Sequence, residues 1–499
     1  MIIFARFSRG GLIAASLLLQ VVATMSAQTT TPAAPDPVEG QWLGQAGPED
    51  NRATIGLEIV REAKDDLMVY YSIDLVKFYH VPAGSPLQST GLGQYTTSDG
   101  GLKMTLDGER LRTTGFLDNH ATVELHRVAA LPKPAPLSVA PAGPGPRWRT
   151  RTGGAIFAAP AVCDGVAYVG NVDGVLLALK VSDGTQVWAF GAGRPIMGEA
   201  LATEDAVYFA CDNGSLFKLN RADGKKLWRY DLGDGLVNRI LPNPYVYDYD
   251  YQSPRPVLAD GVLYLGSGDG AFHAVRADTG ARVWRIETIG KVRTTAIVQG
   301  ERVFFSTLGN SVCAAERATG RIVWQFATGD AVTSSPALIG GRLIIGDRDS
   351  KLHALDPVDG REVWSQNWWG SWVESTAVEL DGLAYIGSGD LEMVSCLDPA
   401  TGKNLWRTDV GGWVFRSPAV TAKSVYASVS GAHRPASFWL PQASAVIALD
   451  RLTGKTRWSW PMSGRPGEFF HGFVAAPVIA GDTVLIGGLD GTLYAFPIY

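Results

Sequence analysis

Seven times along this chain a glycine is followed four residues later by a tryptophan: Gly184 and Trp188, Gly224 and Trp228, Gly280 and Trp284, Gly320 and Trp324, Gly360 and Trp364, Gly402 and Trp406, Gly454 and Trp458. The clearest copy runs from Ala354 through Leu355-Asp356-Pro357-Val358-Asp359-Gly360 to Trp364. It combines a small residue, an Asp two places on, a tight turn ending in Gly, and apolar strand residues on both sides. That is a β-hairpin, with the glycine supplying the positive φ of the turn. Successive tryptophans are 40, 56, 40, 40, 42 and 52 residues apart. A base period near forty with strand-type content is the signature of propeller blades of four strands each. Helical solenoids share such periods but lack this density of Gly, Val and aromatic residues.

The two ends of the repeat region complement each other. Arg147-Trp148-Arg149-Thr150-Arg151 matches the strand that follows other hairpins, yet no hairpin precedes it. Asp490-Gly491-Thr492-Leu493-Tyr494-Ala495-Phe496 matches the inner strands of a repeat, and the chain stops before any Trp strand. Joining these halves makes one blade and removes two unpaired sheet edges. Innermost strands are expected to start near Ile156, Ile196, Ser253, Val292, Val332, Val373, Val414 and Phe473, which counts eight blades. The expected fold is all-β: an eight-bladed propeller of four-stranded blades, closed by an N-terminal strand and preceded by a small antiparallel β domain.

Upstream of the ring the chain changes character several times. Residues 1–27, with Arg6 and Arg9, an apolar run from Leu12 to Ala23 and small residues at Ala23 and Ala27, read as a cleaved secretory signal too short for a comfortable membrane span. Cleavage is placed at Ala23 or Ala27, and no cysteine stands there to carry a lipid. Residues 28–38 read as a flexible lead-in, 39–130 as the small β domain, 131–146 as a proline-rich linker and 147–499 as the propeller. The expectation is a periplasmic or secreted, monomeric protein. The formal charge of −5 becomes −7 once Arg6 and Arg9 are removed, and no basic stripe suggests nucleic acid. Cys163, Cys211, Cys313 and Cys396 fall at different positions of different repeats and are expected to be free thiols, with no metal cluster.

Two steps exceed the base period, through insertions at Gly233–Gln252 and Ser430–Ser444. The first lies between an outermost and the next innermost strand, the second between the second and third strands of blade seven. In an up-and-down blade both connections emerge on one side of the disc. Trp368, Trp369, Trp372, Trp413, Trp439 and Trp460 fall in or near connections to that side, and the insertions and the loop before blade eight add Tyr245, Tyr247, Tyr249, Tyr251, Phe438, Phe469, Phe470 and His471. Such a face suits a protein or polysaccharide partner in the cell envelope. The same aromatics would equally serve as small private cores for long loops. Near the axis, Arg194, Glu199, Arg255, Arg293, Glu374 and Arg416 lie in or just before innermost strands. They read either as a ligand-orienting cluster or as mutual ion pairs in a water-filled channel.

The Ala-x-Asp-x-x-Thr-Gly-x-x-x-Trp pattern, best seen at Ala448, Asp450, Thr453, Gly454 and Trp458, resembles the tryptophan-docking repeat of pyrroloquinoline-quinone-type propellers over roughly residues 147–499. That family holds quinoprotein dehydrogenases and also cofactor-free scaffolds of the BamB kind. The resemblance therefore implies a non-catalytic binding or assembly scaffold, or alternatively a quinone-dependent alcohol or sugar dehydrogenase. In the second case a quinone with Ca²⁺ would need an aromatic platform, for which Trp372 or Trp413 is the candidate, and a cationic partner, Arg293 or Arg416. The adjacent-cysteine pair of the alcohol-oxidising relatives is absent from this sequence.

Overall fold

The computed structural model describes residues 35–62, 66–115, 122–133, 140–233, 250–432, 443–462 and 470–499. The chain divides after residue 134 into two compact units, and Glu49–Asn51 belong with the second. Among the described residues there is no α-helix; Glu49–Asn51 form a single 3₁₀ turn.

The first unit is a closed barrel. Its strands run in the order Ala53–Arg61, Gly40–Ala46, Val123–Val128, Arg110–Thr114, Lys103–Asp107, Gln94–Thr97, Leu87–Gly91 and Leu67–Ile73, and the last pairs again with the first. Phe78–Pro82 pairs on the outside of Leu67–Ile73. Alternation places Ile55, Leu57 and Ile59 inside against Val69 and Ile73. Trp42 is fully buried; its indole N–H donates to the Val38 carbonyl at 2.9 Å, and the Arg127 guanidinium lies 4.2 Å from its ring centre. The expected lead-in therefore ends earlier than residue 38, because Val38 is buried and Asp36 accepts a 2.6 Å hydrogen bond from the Tyr95 hydroxyl.

The second unit is the propeller. Its eight blades are sheets with a four-strand path, and the eighth is completed by Trp148–Arg151 pairing with Thr492–Pro497, Trp148 opposite Ala495. Seven tryptophans cross to the next blade in the same way. The indole N–H of Trp148, Trp188, Trp228, Trp284, Trp324, Trp364 and Trp406 donates to a backbone carbonyl there at 2.8–3.2 Å. Each ring covers the hairpin glycine of that blade. At Gly360 a Cβ would stand 2.6 Å from the Trp324 ring, and φ is +76°, so the position excludes other residues on two counts.

The innermost strands start later than expected. In-blade pairing begins at Ala161, Leu201, Val257, Ile297, Ala337, Val378, Ala419 and Val478, four or five residues after the positions read from the sequence. The preceding residues bind the neighbouring blade instead. Ile196, Val292, Val332, Val373 and Val414 donate their N–H groups to carbonyls of Asn171, Ser267, Thr307, Asp347 and Ser388 at 2.8–3.1 Å. Several of their side chains fill the space above a glycine that ends the previous blade's second strand, as Val373 does over Gly346. These segments stitch blades together at the axis.

The linker also departs from expectation. Ala142 forms a parallel bridge with Ser459, Gly143 donates to the Ser459 carbonyl at 2.7 Å and Ser459 donates to the Pro141 carbonyl at 2.8 Å. Gly143 lies under Trp458, where an added Cβ would meet the ring at 2.4 Å. Blade eight borrows its outermost strand and so has no hairpin glycine to offer Trp458; the linker supplies one.

A plugged axis and its cavity

The eight segments that lead into the innermost strands each bring one residue to the same level of the axis: Ala159, Glu199, Arg255, Thr295, Ser335, Thr376, Ser417 and Ala476. With Gln252, Glu374, Arg416 and neighbouring small residues they line a cavity of about 380 Å³. Hydroxyls tie adjacent strands together there. Thr295 Oγ1 accepts the Arg255 N–H at 3.0 Å, Ser335 Oγ accepts the Thr295 N–H at 2.9 Å and Thr376 Oγ1 accepts the Ser335 N–H at 3.0 Å.

One end of this axis is plugged. Phe157, Met197, Tyr251, Trp413, Phe415 and Val474 form a buried apolar cluster, and in five of the innermost segments the residue in that cluster precedes the cavity residues. Tyr251, at the end of the first insertion, crosses the axis and donates its hydroxyl to Glu374 Oε2 at 2.8 Å. Burial first, and the Glu374 charge second, raise the Tyr251 pKa well above its ordinary value. The flanking residues are pinned as well: Asp250 accepts from Arg293 Nε at 2.8 Å, and Gln252 Oε1 accepts from Arg416 at 3.2 Å. Glu374 is in turn held by Arg348 Nε at 2.9 Å and Thr333 Oγ1 at 3.1 Å.

Both insertions root at the plugged end. Trp413 in the plug exchanges two 2.9 Å backbone hydrogen bonds with Ser430, where the second insertion begins. The strand continues to Ala432 and pairs with Phe470–Gly472 from the loop before blade eight. The cavity lies on the other side of the plug.

The aromatics read from the sequence as a recognition face divide differently. Trp368, Trp369 and Trp413 are buried. Trp368 donates to Gln366 Oε1 at 2.9 Å beneath the Arg407 guanidinium, and Trp369 donates to the Asn51 carbonyl at 3.0 Å. Burial lowers the Arg407 pKa to about 10, against the pull of Asp50. Trp460 packs on Phe473, Tyr494 and Phe496 between blades. All four side chains are packed against other residues of the protein. Trp372 is half-buried, with the Arg348 guanidinium 4.2 Å from its ring centre. His471 is buried and its Nδ1 lies 2.9 Å from Ser444 Oγ. Trp439, Tyr247 and Tyr249 lie outside the described residues, and of Phe470 only the backbone strand is described.

The charged candidates separate too. Arg293 is buried against Asp250, and Glu374 against Arg348 and Tyr251. Arg255 and Arg416 line the cavity, together with Glu199, which Arg255 contacts at 3.3 Å. Arg194 is exposed and does not line it. Sequence reasoning missed Asp250, Gln252 and Arg348. Arg348 had a signal: the matching positions in blades one, two, three, four, six and eight hold Val172, Asp212, Gly268, Leu308, Gly389 and Leu489, so a lone cation stands out.

Three of the four residues proposed for a quinone hold other partners within the protein. Trp413 donates to Asp390 Oδ1 at 3.1 Å and packs against Phe415 with ring centres 5.3 Å apart, while Arg293 is committed to Asp250. Trp372 already carries Arg348. The four cysteines are free thiols.

The family described as outer membrane protein assembly factor BamB matches the chain at residues 138–238, 212–371 and 348–498, which spans the whole propeller. The chain belongs to the BamB family. No curated protein has a sequence that matches it significantly. Among solved structures, the computationally designed Ika8 protein aligns with a TM-score of 0.55 at 15% identity, covering 71% of this chain and all of that one. Quinohemoprotein alcohol dehydrogenase ADHIIG from Pseudomonas putida HK5 aligns with a TM-score of 0.55 at 14% identity, over 71% and 76% of the two chains. BamB from Moraxella catarrhalis is 20% identical over 56% of this chain and 82% of its own, with a TM-score of 0.45. At these identities the structural likeness is one of fold, and family membership rests on the sequence match along the BamB-type ring.

Proposed function

We propose that this protein is an exported, non-catalytic scaffold that captures a protein or polysaccharide partner of the cell envelope through the face carrying its two insertions. The observation that carries the reading is the common root of those insertions. Asp250–Gln252 and Ser430–Ala432 are both anchored at the plugged end of the axis, by ion pairs, by Tyr251 and by the added pairing with Phe470–Gly472. Long connections held by a rigid ring at one end are the usual place for recognition. Membership of a family named for an assembly factor supports the same reading.

Shortening residues 234–249 and 433–442 to brief Gly-Ser links, with the roots left intact, tests it. Crosslinking in intact cells should lose the partners seen with the unaltered protein, while the melting temperature stays within a few degrees. An unchanged set of partners would overturn the reading, as would dye-linked alcohol oxidation above background after titration with pyrroloquinoline quinone and Ca²⁺.

A further inference from the structure

The strand that closes the ring carries a charge pattern that no regular blade repeats. An arginine directly after the docking tryptophan recurs at Arg229, Arg285 and Arg407, and each is followed two residues later, on the same face of the strand, by an acid: Asp231, Glu287 and Asp409. Arg285 shows the consequence, since it pairs with Glu287 and, at 2.7 Å, with Asp269. On the closing strand Trp148–Arg151 the arginine is Arg149, and the residue two places on is a second arginine, Arg151. Asp490, the blade-eight counterpart of Asp269, accepts from the Tyr494 hydroxyl at 2.6 Å instead. Arg147 is taken up by Asp482 at 2.7 Å. Arg149 and Arg151 are exposed, and neither side chain has an ion pair or hydrogen bond among the described residues.

The backbone of this strand is an open edge as well, outermost in its sheet. Thr152 donates to the Gly491 carbonyl at 2.8 Å, and the register of Thr150 with Leu493 and Trp148 with Ala495 continues that alternation, so the N–H and C=O groups of Arg149 and Arg151 point out of the sheet. Blade seven shows what such an edge accepts. Ser459 holds there the position of Arg149, one residue past the tryptophan, and the linker pairs with it in parallel: Ser459 donates to the Pro141 carbonyl at 2.8 Å and accepts from the Gly143 N–H at 2.7 Å. We propose that the outer edge of the closing blade docks an extended acidic segment of a partner protein, paired with the backbone of Arg149 and Arg151, its carboxylates on the two guanidinium groups. Alternate residues of a strand stand about 7 Å apart, so the matching motif is an acid, any residue and a second acid. Guanidinium forks suit carboxylates geometrically. Two arginines on an edge repel a second copy of that edge, which leaves a segment of opposite charge as the occupant. The surface lies on the outer wall of the ring rather than on the connections that carry the insertions, so the inference goes beyond the partner-binding reading and does not rest on it.

Fluorescence anisotropy of a labelled peptide of alternating Glu and Val, titrated with the full chain in low-salt buffer, tests this. The comparisons are its Gln–Val counterpart, a version N-methylated at alternate amides, and heparin as an anionic polysaccharide. The Glu peptide should bind, and the Gln and N-methylated peptides should each bind about fivefold or more weakly, the first for want of charge and the second for want of backbone donors. Arg151→Asp rebuilds the self-paired pattern of blades two, three and six, so it should weaken the Glu peptide at least as much while the melting temperature stays within a few degrees. Arg149→Gln should cost a few-fold. Failure of the Glu peptide to bind, an N-methylated peptide equal to its parent, a preference for heparin, or binding indifferent to Arg151→Asp would each overturn the proposal. Self-association that Arg151→Asp abolished would overturn it too, by giving the edge to a second copy. Shortening the two insertions should leave peptide affinity unchanged, so failure here is distinguishable from failure of the scaffold reading.

Discussion

Seven of the blade junctions and the eighth solve one problem in two ways. At a regular junction, such as Trp324 onto blade five, the indole covers a hairpin glycine and donates to a carbonyl of the same hairpin, Pro357, at 3.2 Å. At Trp458 the hairpin is missing because blade eight takes its outermost strand from the start of the ring. Gly143 restores the flat surface beneath the ring, but no acceptor replaces the carbonyl, and the buried Trp458 N–H has no hydrogen-bond partner among the described residues. Closing a ring with a distant strand removes two sheet edges, and the cost is one incomplete lock. A turn supplies shape and hydrogen bonding together, whereas a docked linker reproduces only the shape.

The sharpest way to break this comparison is to remove the indoles. Trp324→Ala should destabilise the propeller by about 3–5 kcal/mol, through lost burial, the cavity left behind and an orphaned carbonyl. Trp458→Ala should fall at or below the lower end of that range; calorimetry showing Trp458 to matter more would refute the incomplete lock. Glycines come next. Gly360→Ala combines a clash with a forbidden φ and should cost about 2–3 kcal/mol, while Gly143→Ala meets only the clash, at an ordinary φ, and should cost about 1 kcal/mol. Equal losses on denaturant unfolding would mean that the linker is as rigid as a hairpin.

Phenylalanine isolates the hydrogen bond. Trp324→Phe should lose about 1 kcal/mol more than Trp458→Phe, since only the first leaves a carbonyl unsatisfied. The smallest effect is expected from pH. Blade five clasps its outer strands with His353, which lies between Asp347 at 3.1 Å and Glu362 at 2.6 Å, whereas the matching residue of blade eight is Tyr494, whose hydroxyl donates to Asp490 at 2.6 Å. Burial opposes charge on His353, but the two carboxylates win and raise its pKa. A raised folded-state pKa contributes stability that is fully present below the unfolded value and lost as pH rises through the folded one. The melting-temperature gap between the unaltered protein and His353→Gln should therefore narrow by a degree or so on going from mildly acidic to alkaline buffer. A gap that widened would show His353 to be neutral when folded.

Much of this was legible beforehand. Gly360 and Trp364 are four residues apart because a hairpin needs them there, so the fold could be read wherever the spacing recurs. Trp148 without a hairpin, and a last blade without its Trp strand, foretold closure. The barrel is less legible: the strands at Gly40–Ala46, Leu87–Gly91 and Gln94–Thr97 are Gly-rich or Thr/Gln-rich runs that carry little apolar alternation. Nothing local to Trp369 says that it is capped by Asn51, 318 residues earlier in the chain, nor that Trp460 turns into the seam between blades. An aromatic residue in a loop is compatible with either side until its neighbour is known.

The sequence by itself determined the ring, its blade count and the place where it is zipped, since each follows from short-range spacing repeated along the chain. Only the tertiary structure decided what fills the axis. There eight strands from across the propeller converge, and whether a charge faces a partner or a cavity depends on which side chains arrive beside it. Asp250 holds Arg293 and Glu374 holds Arg348, while Arg255, Arg416 and Glu199 line the cavity.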